Sequence, residues 1–197
     1  LCMNFKLNQQ IFSELYLNNE IEVFVKRLDL IDPFISGNKL FKLKFNVNRA
    51  LSEKKNMLIT FGGAFSNHIL ATAAYAKKKN IDCLAIVRGE EYFELNPLLT
   101  LAKEYGMKFC FVSRKEYSKR NDNKYVSELA RKYKKAYIVP EGGNNKLGIL
   151  GAEEILEKQD KSFDYIICPI GTGATISGIV NSSKSTQKII GINCINA

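Results

Sequence analysis

A chain of 197 residues that is 46% hydrophobic and 25% charged can bury a substantial core and fits one domain or two small ones. Twenty-nine Lys and Arg against 20 Asp and Glu leave a formal charge of +9, but the basic residues are spread along the chain. Their densest patches, Lys77–Lys79 and Arg131–Lys135, fall late in expected helices where cations suit the dipole, so no nucleic-acid partner is expected.

No run approaches the roughly 18 apolar residues that a membrane span needs, so no membrane partner is expected. The N-terminus shows no basic region followed by an apolar stretch and a small-residue cleavage site, and the expectation is a cytoplasmic protein. Cys83, Cys110, Cys168 and Cys194 lie in apolar, strand-like runs with no metal or redox spacing, and they are expected to be buried thiols with no metal between them.

In chain order, Ile21–Leu28 alternates as a strand and Asp29–Pro33 reads as a turn. A helix is expected from Leu40 to about Lys54, then strand Met57–Phe61, a glycine turn, and an alanine-rich helix ending near Lys79. The unit recurs: strand Cys83–Val87, helix Pro97–Tyr105, strand Lys108–Val112, helix Asn123–Tyr133, strand Ala136–Val139, then a helix over residues 145–157. Strand Tyr165–Ile170, helix Thr175–Ser182 and strand Ile189–Ile192 complete the pattern. Short apolar strands alternating with helices imply an α/β fold whose parallel sheet is covered on both faces, with ligands bound beyond the carboxyl ends of the strands.

Three glycine-rich turns sit at such ends: Gly62-Gly63, Gly142-Gly143, and Gly171-Thr172-Gly173-Ala174-Thr175. Each lets successive N–H groups face one point at a helix start, which suits an anion such as phosphate, and Thr172 and Thr175 add hydroxyls to the third. The third is neither a Walker A loop nor a dinucleotide fingerprint, and a glycine turn alone is equally a plain strand-to-helix connection. In the first, Ser66 or Asn67 would cap a helix beginning near Ile69; alternatively Ser66, Asn67 and His68, the sole histidine, point three polar groups into a crevice.

In the stretch SGNKLFKLKF, residues 36–45, Ser36, Gly37 and Asn38 form a turn that places Lys39 at a helix start, with Leu40, Leu43 and Val47 at helical spacing. A cation there opposes the helix dipole, which together with burial favours the neutral amine, the form that condenses with a carbonyl. The competing reading is that Lys39, Lys42 and Lys44 are three surface lysines.

Four segments, in order, resemble one family. SGNKLFKLKF looks like the Gly-Asn-Lys-x-x-Lys-Leu segment of the pyridoxal-phosphate enzymes related to 1-aminocyclopropane-1-carboxylate deaminase and D-cysteine desulfhydrase, which share the tryptophan-synthase-β-like fold type II. TFGGAFSNHILATAAYA is similar to their Gly-Gly-x-x-Ser-Asn-(His or Gln) segment, VPEGGNNKLGILGAEEI to their Pro-x-Gly-Gly-x-x-x-x-Leu-Gly-x-x-Gly segment, and GTGATISGIV to their phosphate loop. The resemblance implies pyridoxal 5'-phosphate as cofactor, carried by Lys39 as a Schiff base, with Lys39 also moving the substrate proton. It implies that Asn67 bonds the ring oxygen, that Ser66 and His68 hold the substrate carboxylate or assist proton transfer, and that Gly171, Thr172, Gly173, Ala174 and Thr175 hold the phosphate. Lys42 matches the family's second lysine.

The implied activity is that of a lyase or deaminase on a small amino acid. Histidine after Ser-Asn lies closer to the desulfhydrase side, whereas the deaminases commonly carry glutamine there, and it implies β-elimination on a D-amino acid. By the same resemblance two domains of parallel-sheet, three-layer architecture are expected. Residues 40–150 form the smaller one, and 1–39 with 151–197 form a larger, cofactor-anchoring one that is incomplete, because family members run on beyond residue 197. Arg27–Ser36 is shorter than its family counterpart. An interrupted sheet would leave apolar surface that favours a homodimer. The alternative is a catalytically incomplete remnant or binding module of the same fold.

Overall fold

The computed structural model describes residues 7–11, 22–90 and 94–194. Strands β1 (Asn8–Ile11) and β2 (Val23–Lys26) pair antiparallel. The polar run of β1 gives no apolar alternation, and it is absent from the expected elements. The expected strand Ile21–Leu28 is shorter, with a single 3-10 turn over Leu28–Leu30, and Ile21 lies outside the described residues. Its inward face carries Phe24, stacked on Phe163 at 5.1 Å, while Val23 and Val25 are exposed. On the same face the Lys26 amine pairs with buried Asp160 at 2.6 Å, and Asn8 donates to the other carboxylate oxygen. The ribbon is thereby fastened to the turn at 158–162.

From there the chain follows the expected alternation: α1 (Asn38–Ser52), β3 (Met57–Gly63), α2 (Asn67–Lys79), β4 (Asp82–Arg88), α3 (Pro97–Glu104) and β5 (Met107–Val112). The short α4 (Arg114–Tyr117), then α5 (Asn123–Lys132), β6 (Ala136–Ile138) and α6 (Lys146–Glu153) follow, and β7 (Tyr165–Ile170), α7 (Ala174–Ser182) and β8 (Lys188–Asn193) close the described chain. The helix expected over 145–157 ends early. Glu157 and Asp160 instead form a capping box around a 3-10 turn, Lys158–Ser162.

Strands β3 to β6 make one parallel sheet in the order β5-β4-β3-β6. Alternation along the strands divides its core in two. Leu58, Cys83, Ala85 and Val87 face α1, α2 and α3 with Leu43, Val47, Ala73 and Leu99, while Ile59, Phe61, Leu84 and Ile86 face Tyr117, Tyr125 and Leu129 of α4 and α5. That is a three-layer sandwich. Strands β7 and β8 form a separate parallel pair. On this pair α7 covers one face, and Tyr165, Ile167, Ile190 and Ile192 are exposed on the other.

The thiols divide. Cys83 and Cys168 are buried as expected, and burial pushes the Cys83 thiol up to about 12; Cys110 and Cys194 are exposed. Cys110 lies on β5, an edge strand of the sheet, and Cys194 follows the end of β8. No metal-holding group of His, Cys, Asp or Glu occurs among the described residues, and no helix among them is long and apolar enough to cross a membrane.

Helices α1, α6 and α7 pack backbone to backbone. A Cβ on Gly151 would run into the Phe41 carbonyl, and one on Gly178 would meet Ala152 Cβ at 2.5 Å and its carbonyl carbon at 2.6 Å. Glycine at both positions brings the start of α1 and the start of α7 to opposite sides of one cleft.

Candidate active site

A cleft of about 870 Å³ opens beyond the carboxyl ends of β3, β4, β6 and β7, and its walls include Lys39, Lys42, Ser66, Asn67, His68, Gly171, Thr172, Gly173 and Thr175. The four segments singled out in the sequence therefore meet in space, the VPEGGNN stretch through Pro140, Glu141, Gly142 and Asn144. Of the expected site residues, only Ala174 is not part of the wall; it is fully buried at the first turn of α7.

Lys39 stands in the first turn of α1, and its amine donates to Asn38 Oδ1 at 2.9 Å. The amide of Asn38 donates in turn to Thr175 Oγ1 at 2.7 Å. The lysine is thus tied through one side chain to the third glycine turn. Desolvation by burial lowers its pKa. Lys42, one helical turn on, is 3% exposed and lies 3.5 Å from Thr172 Oγ1. Desolvation, reinforced by the charge of Lys39, pushes its amine down to about 7. Among the described residues neither amine has a carboxylate partner.

Helix starts around the cleft differ from those elsewhere. Asn96, Ser113, Asp122 and Asn145 cap α3, α4, α5 and α6 with side-chain hydrogen bonds. Gly37, Ser66 and Gly173, before α1, α2 and α7, provide none. The expected Ser66 or Asn67 cap is therefore not formed. Helix α2 starts at Asn67, and the Ser66 hydroxyl turns back over Gly62, where an added Cβ would lie 2.6 Å from it. The open first turns leave N–H groups and partial positive charge facing the cleft.

His68 is buried, and hydrogen accounting fixes its tautomer. The Thr60 hydroxyl lies 3.0 Å from the Val139 carbonyl and 2.9 Å from His68 Nε2. Its one hydrogen goes to the carbonyl, which can only accept, so Nε2 carries the imidazole proton and donates to Thr60. His68 Nδ1 is then a bare lone pair, buried and without a partner. Burial first, then the charges of Lys39 and Lys42, push the imidazole down to about 3, against a smaller opposing effect of the Pro140 carbonyl. The ring is neutral and presents an acceptor.

The wall also holds three charged residues to which the sequence reading assigned no role, and Gly142 of the second glycine turn. Glu141 accepts from the Tyr117 hydroxyl at 2.8 Å and pairs with Arg120, whose guanidinium lies over the Tyr117 ring at 4.9 Å. Arg88 lies over the same ring at 5.8 Å. Gly142, at φ 64°, lets Thr172 approach so closely that a Cβ there would meet its hydroxyl at 2.9 Å.

These features define an α/β protein with a cationic, anion-receptive cleft at the carboxyl end of a parallel sheet. A family model described as pyridoxal-phosphate dependent enzyme matches residues 11–197. The chain belongs to that family.

Its relatives include an Arabidopsis thaliana bifunctional D-cysteine desulfhydrase/1-aminocyclopropane-1-carboxylate deaminase, 34% identical over 83% of this chain and 45% of that protein. A Thermotoga maritima protein provisionally named 1-aminocyclopropane-1-carboxylate deaminase is 34% identical over 87% of this chain and 58% of its own length. Among solved structures, an ACC deaminase homologue superposes with a TM-score of 0.70 at 32% identity, over 82% of this chain and 51% of that one. The chain spans about half the length of the curated relatives it matches.

The residues present fit the family's cofactor. Two buried amines whose charged forms burial disfavours suit a carbonyl, and the uncapped α7 start suits a phosphate. At Gly171 and Gly173 an added Cβ would meet nothing within 4 Å, so the turn's backbone faces open space.

Proposed function

We propose that this chain forms the cofactor lysine and phosphate seat of a pyridoxal-phosphate-dependent lyase or deaminase acting on a small amino acid, of the D-cysteine desulfhydrase or 1-aminocyclopropane-1-carboxylate deaminase kind. The supporting observation is the bond chain from the Lys39 amine through Asn38 to Thr175, which unites a carbonyl-reactive group and an anion seat contributed by distant segments. The cofactor, when bound, supplies an electron sink for a carbanion at the substrate α-carbon.

The protein's own groups do the rest. Lys39 holds the cofactor and, when released, takes and returns the substrate proton, a task its lowered pKa favours. The Thr172 and Thr175 hydroxyls and the first turn of α7 hold the phosphate, with Lys42 beside Thr172 as its counter-charge. Asn67 bonds the ring oxygen, and Ser66 donates to the substrate carboxylate. His68, tied back to Thr60, accepts a proton-bearing group rather than an anion.

In this reading residues 40–150 are the smaller domain and 1–39 with 151–197 belong to the cofactor-anchoring one. The exposed apolar face of β7 and β8 is in keeping with association as a homodimer, and the protein works in the cytoplasm.

Adding pyridoxal 5'-phosphate should give an absorbance band near the visible edge, and borohydride reduction should fix the added mass on Lys39. Lys39→Ala should abolish the band, whereas Lys42→Ala should keep it with weaker affinity. Equal loss in both variants would remove the argument for Lys39. Cofactor uptake without keto-acid or sulfide release from D-cysteine, D-serine or 1-aminocyclopropane-1-carboxylate would favour a binding module.

A further inference from the structure

The functional reading leaves the substrate's carboxylate short of a charged partner. His68 stands at the head of α2, but its Nε2–H is spent on Thr60 and its Nδ1 is a buried lone pair, so neither nitrogen donates into the cleft. The Ser66 hydroxyl and the open first turn of α2 supply neutral donors only. Lys39 is assigned to the cofactor and Lys42 lies beside Thr172.

Two guanidiniums remain in the wall, and their surroundings separate them. Arg120 is neutralised by Glu141, which also accepts from Tyr117. Arg88, among the described residues, has no carboxylate partner. It ends β4 and is the register partner of Gly63 at the end of β3. Its Nη2 lies 3.6 Å from where a Cβ on Gly63 would stand, and the Gly63 carbonyl accepts from the Ser66 N–H at 3.0 Å, closing the turn that carries Ser66. The Tyr117 ring, itself fixed by Glu141, steadies the guanidinium at 5.8 Å. Arg88 therefore overhangs the Ser66 turn, two strands away from β6, whose following Gly142 touches Thr172.

We propose that Arg88 is the cation that receives the substrate's carboxylate, acting with the Ser66 hydroxyl and the α2 N–H groups, so that the site selects amino acids over amines of the same size. The inference rests on the pyridoxal-phosphate reading above. Charge balance agrees: with Lys39 consumed in holding the cofactor and Arg120 paired with Glu141, Lys42 faces the phosphate and Arg88 is, among the described residues, the one cation of the wall left for the carboxylate. A planar guanidinium offers the two-pronged geometry that a carboxylate accepts.

Alanine and alaninamide separate this role from a structural one, since neither has a leaving group and only the first has a carboxylate. Both are titrated into cofactor-loaded wild-type and Arg88→Gln chains, using either enantiomer, with the cofactor absorbance as readout. The cofactor band and affinity should match in the two chains. The half-saturating concentration of alanine should rise about 10- to 100-fold in Arg88→Gln, Arg88→Lys should recover part of it, and alaninamide should respond alike in both.

Unchanged alanine binding in Arg88→Gln, equal shifts for alanine and alaninamide, or a loaded wild-type chain without saturable response to alanine would each overturn the assignment. A wild-type chain that takes up no cofactor would instead overturn the reading beneath it.

Discussion

Thr60→Val isolates the group that fixes the histidine. Thr60 is fully buried, and its hydroxyl serves two long-range partners, the Val139 carbonyl at 3.0 Å and His68 Nε2 at 2.9 Å. Valine preserves the volume, so no cavity opens, but it strands a carbonyl and an N–H inside the protein. Each buried polar group left unpaired costs about 1–3 kcal/mol, so a total of about 2–5 kcal/mol is expected. For a chain of this size that corresponds to a fall in Tm of about 5–15 °C.

Thr72→Val serves as the control. Its hydroxyl bonds only the His68 carbonyl within the same helix, at 2.8 Å, and its loss should cost about 1 kcal/mol or less. Equilibrium urea unfolding gives the differences. Because His68 is the sole histidine, imidazole nitrogen shifts also report the tautomer without ambiguity. The expected state has Nε2 protonated and Nδ1 bare, and Thr60→Val should populate the opposite tautomer. A wild-type ring protonated at Nδ1, or a Thr60→Val chain within about 0.5 kcal/mol of wild type, would refute the reasoning.

Lys42→Met should raise the stability of the ligand-free chain at pH 7 while weakening cofactor affinity. The folded-state pKa of Lys42 is pushed down to about 7, so between there and the ordinary lysine value folding sheds its proton. The resulting cost is absent above about pH 10.5, grows by about 1.4 kcal/mol per pH unit as pH falls, and is complete near pH 7. The stability gap between Lys42→Met and wild type should therefore be on the order of 4 kcal/mol at pH 7 and shrink toward pH 10; a gap equal at both pH values in urea titrations would contradict the burial assigned to this amine. Gly178→Ala should cost about 1–3 kcal/mol or more, because the new methyl meets Ala152 backbone that cannot swing aside, and it should weaken phosphate-dependent cofactor uptake by displacing α7 from α6. A melting temperature and cofactor affinity both at wild-type values would show that the helices have slack.

Much of the fold was legible because its strands are short apolar runs between glycine turns, a pattern that only a covered parallel sheet satisfies. Strand β1 was not, since Asn8, Gln9 and Gln10 owe their conformation to pairing with β2 rather than to any periodicity. The exposed Cys110 was misjudged because apolar neighbours in sequence do not reveal an edge position. In the site, Lys39, Ser66, Asn67, His68 and the Thr172 turn carry recognisable local chemistry, and the fold brings them to one cleft. Thr60 read as an ordinary strand residue. Its importance lies in partners 8 and 79 residues away. Asn38 was visible as a turn residue, but its bridge to Thr175 spans 137 residues. Arg88 and Arg120 fell among basic residues spread along the chain, and Glu141 was an unassigned position of the Pro-x-Gly-Gly segment. A sequence states which groups a residue carries, whereas the group opposite is decided by topology.

The uneven distribution of helix caps has a consequence for the protein without its ligand. Four helices finish their first turns with their own side chains, and the three that do not all open on the same hollow. Amide hydrogens at residues 38, 39, 67, 68, 174 and 175 are then left without a side-chain cap, gathered from three remote stretches around a single hollow where faster exchange is expected. Cofactor and substrate together would slow them, so that a deuterium-uptake map would record occupancy as the quieting of one place rather than of one segment.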